Sequence, residues 1–282
     1  MRKEKVRETD YQNAERPKTR LAQYFDIFKH RFLELLKISL LQTVFNIPLF
    51  VSLILFYALV RNATDYNSLM TVFLIQGASF LISVPCVYAG MTGTFYCMKK
   101  LAFAEGEFAS SSFFIGLREE WKSGLLIGLI QGVSASIALI GSFFFYTYMT
   151  EINPVIAGFG ITIMAIQLIV VLMVSYYAVA QMVVYTNKIR FVLKNSFIMA
   201  LMRFPFNLIF LIIYPGIIIA LWCIMDITMF VGVGLMVFFV AFGHLLWTLN
   251  AISAFDKYIN KEQYPDYYRL GLAKQINETK EV

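Results

Sequence analysis

Six long apolar segments dominate this chain and leave few alternatives for its fold. Each runs for roughly 20 residues, the length that an α-helix needs to cross a hydrocarbon core of about 30 Å. They cover residues 38–60, 69–91, 124–147, 156–182, 207–224 and 228–247. With 59% hydrophobic and only 15% charged residues, the chain lacks the polar surface that a soluble domain of this length requires. The segments therefore predict an all-α membrane protein with six transmembrane helices in three hairpins.

The distribution of basic residues predicts how these helices are oriented. Of the 24 Lys and Arg residues, all but Arg61 precede the first segment, follow the last one, or lie in the second-to-third and fourth-to-fifth connections. Cytoplasmic loops of membrane proteins are enriched in Lys and Arg. We therefore expect a cell-membrane protein with both termini in the cytoplasm. The net charge of +6 is interpreted as this topology signal, and no nucleic-acid partner is expected.

The charged ends of the chain are predicted to flank a single membrane domain. We expect a flexible cytoplasmic tail at 1–20, a six-helix domain at 21–258 and a C-terminal tail at 259–282. Basic, aromatic-rich stretches precede the odd-numbered segments at 25–37, 113–126 and 189–201. Such stretches are typical of helices that lie in the membrane interface. They indicate three copies of one unit, although any basic stretch that enters a membrane has a similar composition.

Neutral amides are the main polar side chains within the segments. The candidates are Gln42, Asn46, Gln76, Gln131 and Gln167. These amides have two possible functions. One is to line a polar path for a sugar-like solute, and the other is to form hydrogen bonds between helices, which average about 0.6 kcal/mol each. The centres of the segments contain no Asp, Glu, Lys or Arg, which argues against ion-coupled transport.

The third segment carries small residues at every fourth position. They are Gly124, Gly128, Gly132 and Ser136. Such a ridge lets the backbone of another helix approach closely. We expect it to pack against Gly232 and Gly234 of the last segment.

The sequence lacks the motifs of common enzymes and cofactor sites. It contains no nucleophile elbow, HExxH, P-loop or GxGxxG pattern. Its two His and three Cys residues do not have the spacing of a metal site. We expect neither enzymatic activity nor a bound cofactor or metal.

The connection at 98–126 combines two basic residues, a Glu-Gly-Glu turn, a Phe pair and a helix with basic, acidic and Trp residues. In these features it resembles the YesL-like family of bacterial membrane proteins. The likeness includes Asn46 and the closing segment 249–265, and extends over about 25–265. It implies a companion of carbohydrate-uptake systems in Gram-positive bacteria, which would contact a transporter or a signalling complex. The residues expected to make that contact are Glu105, Gly106, Phe113, Arg118 and Trp121.

The same connection is also similar to the loop through which permease subunits of sugar transporters dock their ATPase. Ala102, Glu105, Gly106 and Phe113 have the corresponding offsets, whereas Lys100 and Leu101 replace a leading Glu-Ala pair. This likeness implies a second hypothesis, a permease-like subunit of a sugar transporter. A structural or lipid-interacting membrane protein is the third.

Overall fold

The computed structural model describes residues 16–105, 109–185, 187–213 and 226–273, and this part of the chain is helical without a β-strand. The helices, in chain order, are α1 Arg20–His30, α2 Phe32–Asn62, α3 Tyr66–Ala102, α4 Ala109–Phe144, α5 Pro154–Val184, α6 Ile189–Met202, α7 Phe204–Leu211 and α8 Asp226–Phe255. A π-helical turn extends α4 over Phe145–Met149. Another extends α8 over Asp256–Asn260.

Within the described residues, five helices are long and apolar enough to cross a membrane. They are Phe32–Asn62, Tyr66–Ala102, Ala109–Ile152, Pro154–Val184 and Val237–Gln263. These helices confirm an all-α, multi-pass architecture and contain or overlap five of the predicted segments. The remaining segment, 207–224, begins in α7, but most of it lies outside the described residues.

Side-chain caps begin the helices after two of the tight connections. Asp65 precedes α3 and accepts a hydrogen bond from the backbone amide of Ser68 at 2.7 Å, while the Ser68 hydroxyl accepts one from the Asp65 amide. This reciprocal capping box satisfies amides that have no partner in the first helical turn. Asn153 caps α5 by accepting a hydrogen bond from the Val155 amide at 3.0 Å, and Pro154 follows in the first turn, where a missing amide costs nothing. Both hairpin turns are therefore encoded locally.

The three predicted interfacial stretches adopt different structures. Helices α1 and α2 are separated at Arg31, whose φ and ψ are −122° and 24°. Helices α6 and α7 are separated at Arg203, which has nearly the same conformation with φ −113° and ψ 23°. Helix α4 instead runs without interruption through 113–126. A separate helix thus precedes the first and third units, but the second unit lacks one.

The bundle is tightly packed at one end, which we call the basic end. It comprises α1, the C-terminal ends of α3, α5 and α8, and the N-terminal ends of α2, α4 and α6. In α5 almost every residue from Ser175 to Val184 is buried, whereas only Ala157 and Gly160 are buried before Met173. In α2 no residue after Phe50 is buried. A membrane explains this asymmetry, because apolar side chains that face lipid need no protein neighbour.

The small-residue ridge of α4 packs on α3. A Cβ at Gly128 would lie 2.6 Å from Pro85 Cα, and one at Gly132 would lie 2.6 Å from the Phe80 carbonyl. Ser136 donates a hydrogen bond to the Gly77 carbonyl at 2.6 Å. The expected contact with Gly234 of the last segment was wrong, because a Cβ at Gly234 would meet nothing within 4 Å. Helices α3 and α4 are neighbours in the chain, so their antiparallel contact needs only a short connection.

The predicted boundary between the membrane domain and the C-terminal tail, at residue 258, falls within a continuous folded structure. Helical turns follow α8 as far as Gln263, and a 3-10 turn forms at Pro265–Tyr267. The chain then returns to the N-terminal segment, where the Ala273 amide donates to the Pro17 carbonyl at 3.1 Å. Residues 259–273 therefore belong to the folded body, and the rest of the predicted tail lies outside the described residues.

Candidate functional site

The residues predicted to contact a partner separate into exposed and buried positions. Glu105 is exposed in the turn after α3, where its amide donates to the Lys100 carbonyl at 3.0 Å. Gly106 lies outside the described residues. Phe113 is completely buried, packs 6.0 Å from Phe45 between ring centroids, and leaves no side-chain surface for a partner. Its role is to pack the start of α4 into the core.

Arg118 and Trp121 lie on the solvent- or lipid-facing side of α4. Trp121 is 44% exposed, and the Lys122 ammonium lies 5.7 Å from the centroid of its ring, within cation–π range. Phe114 and Ile115 on the preceding turn are also exposed. We call these four residues with Lys122 the α4 surface. It combines aromatic, aliphatic and basic groups near the basic end.

The amides of the predicted polar path are used in contacts between helices. Gln42 of α2 donates to the α3 carbonyl of Val87 at 3.1 Å and to Asn46 at 3.0 Å. It also accepts a 2.9 Å hydrogen bond from Thr94 of α3. Gln42 is therefore satisfied on both its carbonyl and its amide nitrogen, and it joins α2 to α3.

The remaining candidates pair with hydroxyl groups at other helix contacts. Gln76 donates to Ser52 at 3.3 Å between α3 and α2. Between α4 and α5, Ser175 donates to Gln131 at 3.2 Å, and Gln167 donates to Ser134 at 2.6 Å. These contacts belong to different pairs of helices, and none of the five amides lines the cavity described below. The arrangement matches hydrogen bonding between helices better than a continuous path.

A buried ionic cluster at the basic end was not predicted from the sequence. The Arg20 guanidinium donates to Asp256 at 2.8 Å and to the Leu270 carbonyl at 3.0 Å. Asp256 also accepts from Asn260 at 2.8 Å and from the Arg269 amide at 3.2 Å. Burial lowers the pKa of Arg20, and the charge of Asp256 opposes that shift. Because the partners lie 236 residues apart, no spacing in the sequence indicates the pair.

Two further hydrogen bonds attach this cluster to the ends of α3 and α5. Gln23 of α1 donates to the Ala102 carbonyl at 2.7 Å. Tyr185 donates to Asn260, and burial raises the pKa of the Tyr185 hydroxyl, so this group remains a donor at neutral pH. The cluster therefore joins α1, α3, α5 and α8. We call it the basic-end clasp, defined by Arg20, Gln23, Tyr185, Asp256 and Asn260.

A second unpredicted cluster connects α5, α7 and α8. Asn207 accepts a 2.9 Å hydrogen bond from Tyr177 and a 3.1 Å bond from Asn250, and it donates to the Ala200 carbonyl at 3.1 Å. All three side chains are buried. Asn207 was visible in the sequence as a polar residue at the start of an apolar segment, but its partners are 30 and 43 residues away.

A cavity of about 340 Å³ opens beside the clasp, between α5, α6 and the end of α8. Carboxamides, tyrosines and apolar side chains line it: Gln181, Tyr185, Asn187, Asn195, Ile198, Met199, Met202, Tyr258, Ile259, Gln263 and Tyr264. Gln181 and Met199 are buried and form the inner part, whereas Asn187 and Gln263 are exposed. We call this the amide cavity.

In the described ranges, no group of three or more His, Cys, Asp or Glu side chains is placed to hold a metal ion. No protein-family model matches the chain. Neither the curated proteins nor the solved structures contain a significant match.

Proposed function

We propose that this chain is a six-helix protein of the bacterial cell membrane that supports carbohydrate uptake by contacting a transporter or signalling complex. In this proposal both termini and the basic end face the cytoplasm. The carbohydrate role comes from the resemblance of the 98–126 connection. The α4 surface carries the proposal of partner contact.

The path of the chain at the basic end supports a sixth crossing. Tyr185, just after α5, and Asn260, just after α8, are hydrogen-bonded there. If α8 crosses the membrane, the chain between α5 and α8 has to cross it too, in the opposite direction. A fifth crossing that includes α7 requires α7 to lie inside the bundle, away from the basic end. Asn207 of α7 is hydrogen-bonded to Tyr177 and Asn250, and both of these residues lie inward from the basic end.

The length of α4 supports a partner contact outside the membrane. With its extension this helix covers Ala109–Ile152, 44 residues. At 1.5 Å per residue it is about 66 Å long, against roughly 40–45 Å for a bilayer with its headgroups. A turn or more therefore extends beyond the lipid. Arg118 and Trp121 are exposed within the first four turns of α4, at the basic end, and aromatic and Arg side chains are enriched at protein interfaces.

The observations favour this function over the two alternatives. The permease hypothesis needs the amides to share a path, but Gln42 and Gln76 bond across the α2–α3 contact, whereas Gln131 bonds across the α4–α5 contact. A purely lipid-interacting role would account for the exposed aromatic residues of α4. It gives no role to the exposed carboxylate of Glu105 in the turn after α3.

Site-specific photo-crosslinking tests the proposal. A benzophenone amino acid at Trp121 is expected to capture a specific membrane protein in native membranes. The matched control is Phe197 of α6, which is similarly exposed at 49% and also belongs to a basic stretch. Adding Glu105→Lys with Arg118→Glu should reduce the Trp121 crosslink several-fold. Identical products at both positions, or only lipid adducts at Trp121, would contradict the proposal.

A further inference from the structure

The inner part of the amide cavity contains a hydrogen-bonding group without a partner. Gln181 is fully buried, and its carbonyl accepts a 3.2 Å hydrogen bond from Ser196. Its amide nitrogen, Nε2, is buried and has no hydrogen-bond partner among the described residues. Buried polar groups in folded proteins are nearly always paired. The Gln181 amide at the inner part of the cavity therefore has no acceptor in the protein. A ligand in the cavity can supply one.

The side chains around Gln181 define the chemistry of such a ligand. Carboxamides donate and accept hydrogen bonds, so Asn187, Asn195 and Gln263 are suited to hydroxyl groups, which do the same. Tyr185 and Tyr264 add aromatic rings whose centroids lie 4.8 Å apart. An apolar wall with a few polar groups is typical of small-molecule sites.

The described side chains that line the cavity carry no charge, which argues against a charged ligand. None of the described residues that line the cavity is Asp, Glu, Lys or Arg. A charged ligand would lose its hydration without gaining an ionic partner, which is unfavourable. The volume of about 340 Å³ lies near the lower end of the range for ligand sites, about 300–1,000 Å³. The cavity therefore suits a small, neutral ligand with several hydroxyl groups.

We propose that the amide cavity binds a neutral saccharide, with Gln181 donating to a sugar oxygen and Asn195 and Gln263 bonding the hydroxyls. The saccharide is either free in the cytoplasm or the headgroup of a glycolipid. The second source is structurally accessible because Ile198 and Met202, on the same cavity, are exposed on the outside of α6. This proposal names a ligand class for the proposed carbohydrate role. It depends on that role only for its biological context.

Saturation-transfer NMR on the purified full chain tests the proposal. The protein is kept in an amine-oxide detergent, because maltoside detergents carry a sugar that would occupy the cavity. The probes are glucose, xylose, rhamnose, maltose and cellobiose, with glucuronate as a charged comparison. Transfer to at least one neutral sugar is expected, with stronger signals than to glucuronate.

Three variants localise the binding. Gln181→Leu removes the unpaired donor and should weaken affinity at least tenfold. Asn195→Leu changes a half-buried position and should weaken it several-fold with little effect on folding. Gln167→Leu is the control, because Gln167 is also an amide of α5, half-buried at the contact with α4, but is outside the cavity. Thermal unfolding of each variant confirms that it is folded.

The outcomes show whether the cavity binds a saccharide and where that saccharide comes from. They are also independent of the test of the proposed function. No transfer to any neutral sugar, unchanged binding by folded Gln181→Leu and Asn195→Leu, or a preference for glucuronate would overturn it. Competition by diglucosyl diacylglycerol in nanodiscs would identify the headgroup as the source, and its absence would identify the free sugar. Binding to purified protein needs no partner, so a negative result here leaves the Trp121 crosslink unaffected, and the reverse also holds.

Discussion

The Arg20 guanidinium and the Asp256 carboxylate form a 2.8 Å ion pair that joins the helix before the first membrane span to the end of the last one. Both side chains are about 90% buried. The pair closes the bundle at the basic end, where the described helices are packed most tightly. It lies next to the amide cavity, since Asn260 bonds both Asp256 and the cavity residue Tyr185.

Replacing Arg20 should destabilise the protein strongly. Arg20→Ala leaves the Asp256 carboxylate buried without its cation, and loss of one partner of a buried pair typically costs about 3–5 kcal/mol. We expect a value near 3 kcal/mol because Asn260 and the Arg269 amide still bond Asp256. Equilibrium unfolding in SDS and detergent mixtures measures it. Lys29→Ala, an exposed change in the same helix, is the control. Equal stability of the two variants would contradict the assignment.

Adding one methyl group to the α4 ridge should disturb the α3–α4 contact. In Gly128→Ala the new Cβ would lie 2.6 Å from Pro85 Cα, and backbone atoms cannot move aside as a side chain can. Overpacking of this kind costs about 1–3 kcal/mol. Gly158→Ala in α5 is the matched control, because a Cβ there meets nothing within 4 Å. The control should be neutral or slightly more stable, as expected for Ala in a helix. Thermal unfolding in detergent distinguishes the two.

Removing the Asn207 side chain should loosen α7 from α5 and α8. Asn207→Ala deletes three hydrogen bonds and leaves Tyr177 and Asn250 with fewer partners. At about 0.6 kcal/mol for an average bond within a membrane protein, the loss should be about 2 kcal/mol. Tyr177→Phe should cost less, since it removes one of these bonds. Asn62→Ala, which changes an exposed residue bonded only to its own helix, serves as the reference. A loss no greater than that of Asn62→Ala would refute the role of this cluster.

Cysteine labelling tests the proposed orientation. In a background without Cys86, Cys97 and Cys223, we expect Asn67→Cys to react with a membrane-impermeant maleimide added to intact cells. Lys188→Cys should react only after the membrane is opened, because it lies at the basic end. Both positions are exposed, so burial does not bias the comparison. External labelling of Lys188→Cys in intact cells would reverse the predicted topology.

Local patterns in the sequence determined much of the fold. The length and apolarity of the segments predicted membrane-spanning helices, and five such helices are present in the described part of the chain. The spacing of Gly124, Gly128 and Gly132 predicted a close helix contact, and in the structure these residues lie against α3. These features were accessible because helical periodicity and small-residue spacing are properties of neighbouring residues. Four of the amides within the segments, Gln42, Gln76, Gln131 and Gln167, have hydrogen bonds between helices.

Only the tertiary structure decided which groups meet. Nothing in the sequence distinguished Phe113, which is buried, from Trp121, which is exposed on the same helix. The Arg20–Asp256 pair and the amide cavity around Gln181 join parts of the chain that lie far apart, so their formation depends on how the helices pack. In a membrane, almost any apolar helix surface can lie against lipid. Sequence hydrophobicity therefore determines that a helix spans, while specific polar contacts and close packing determine its neighbours.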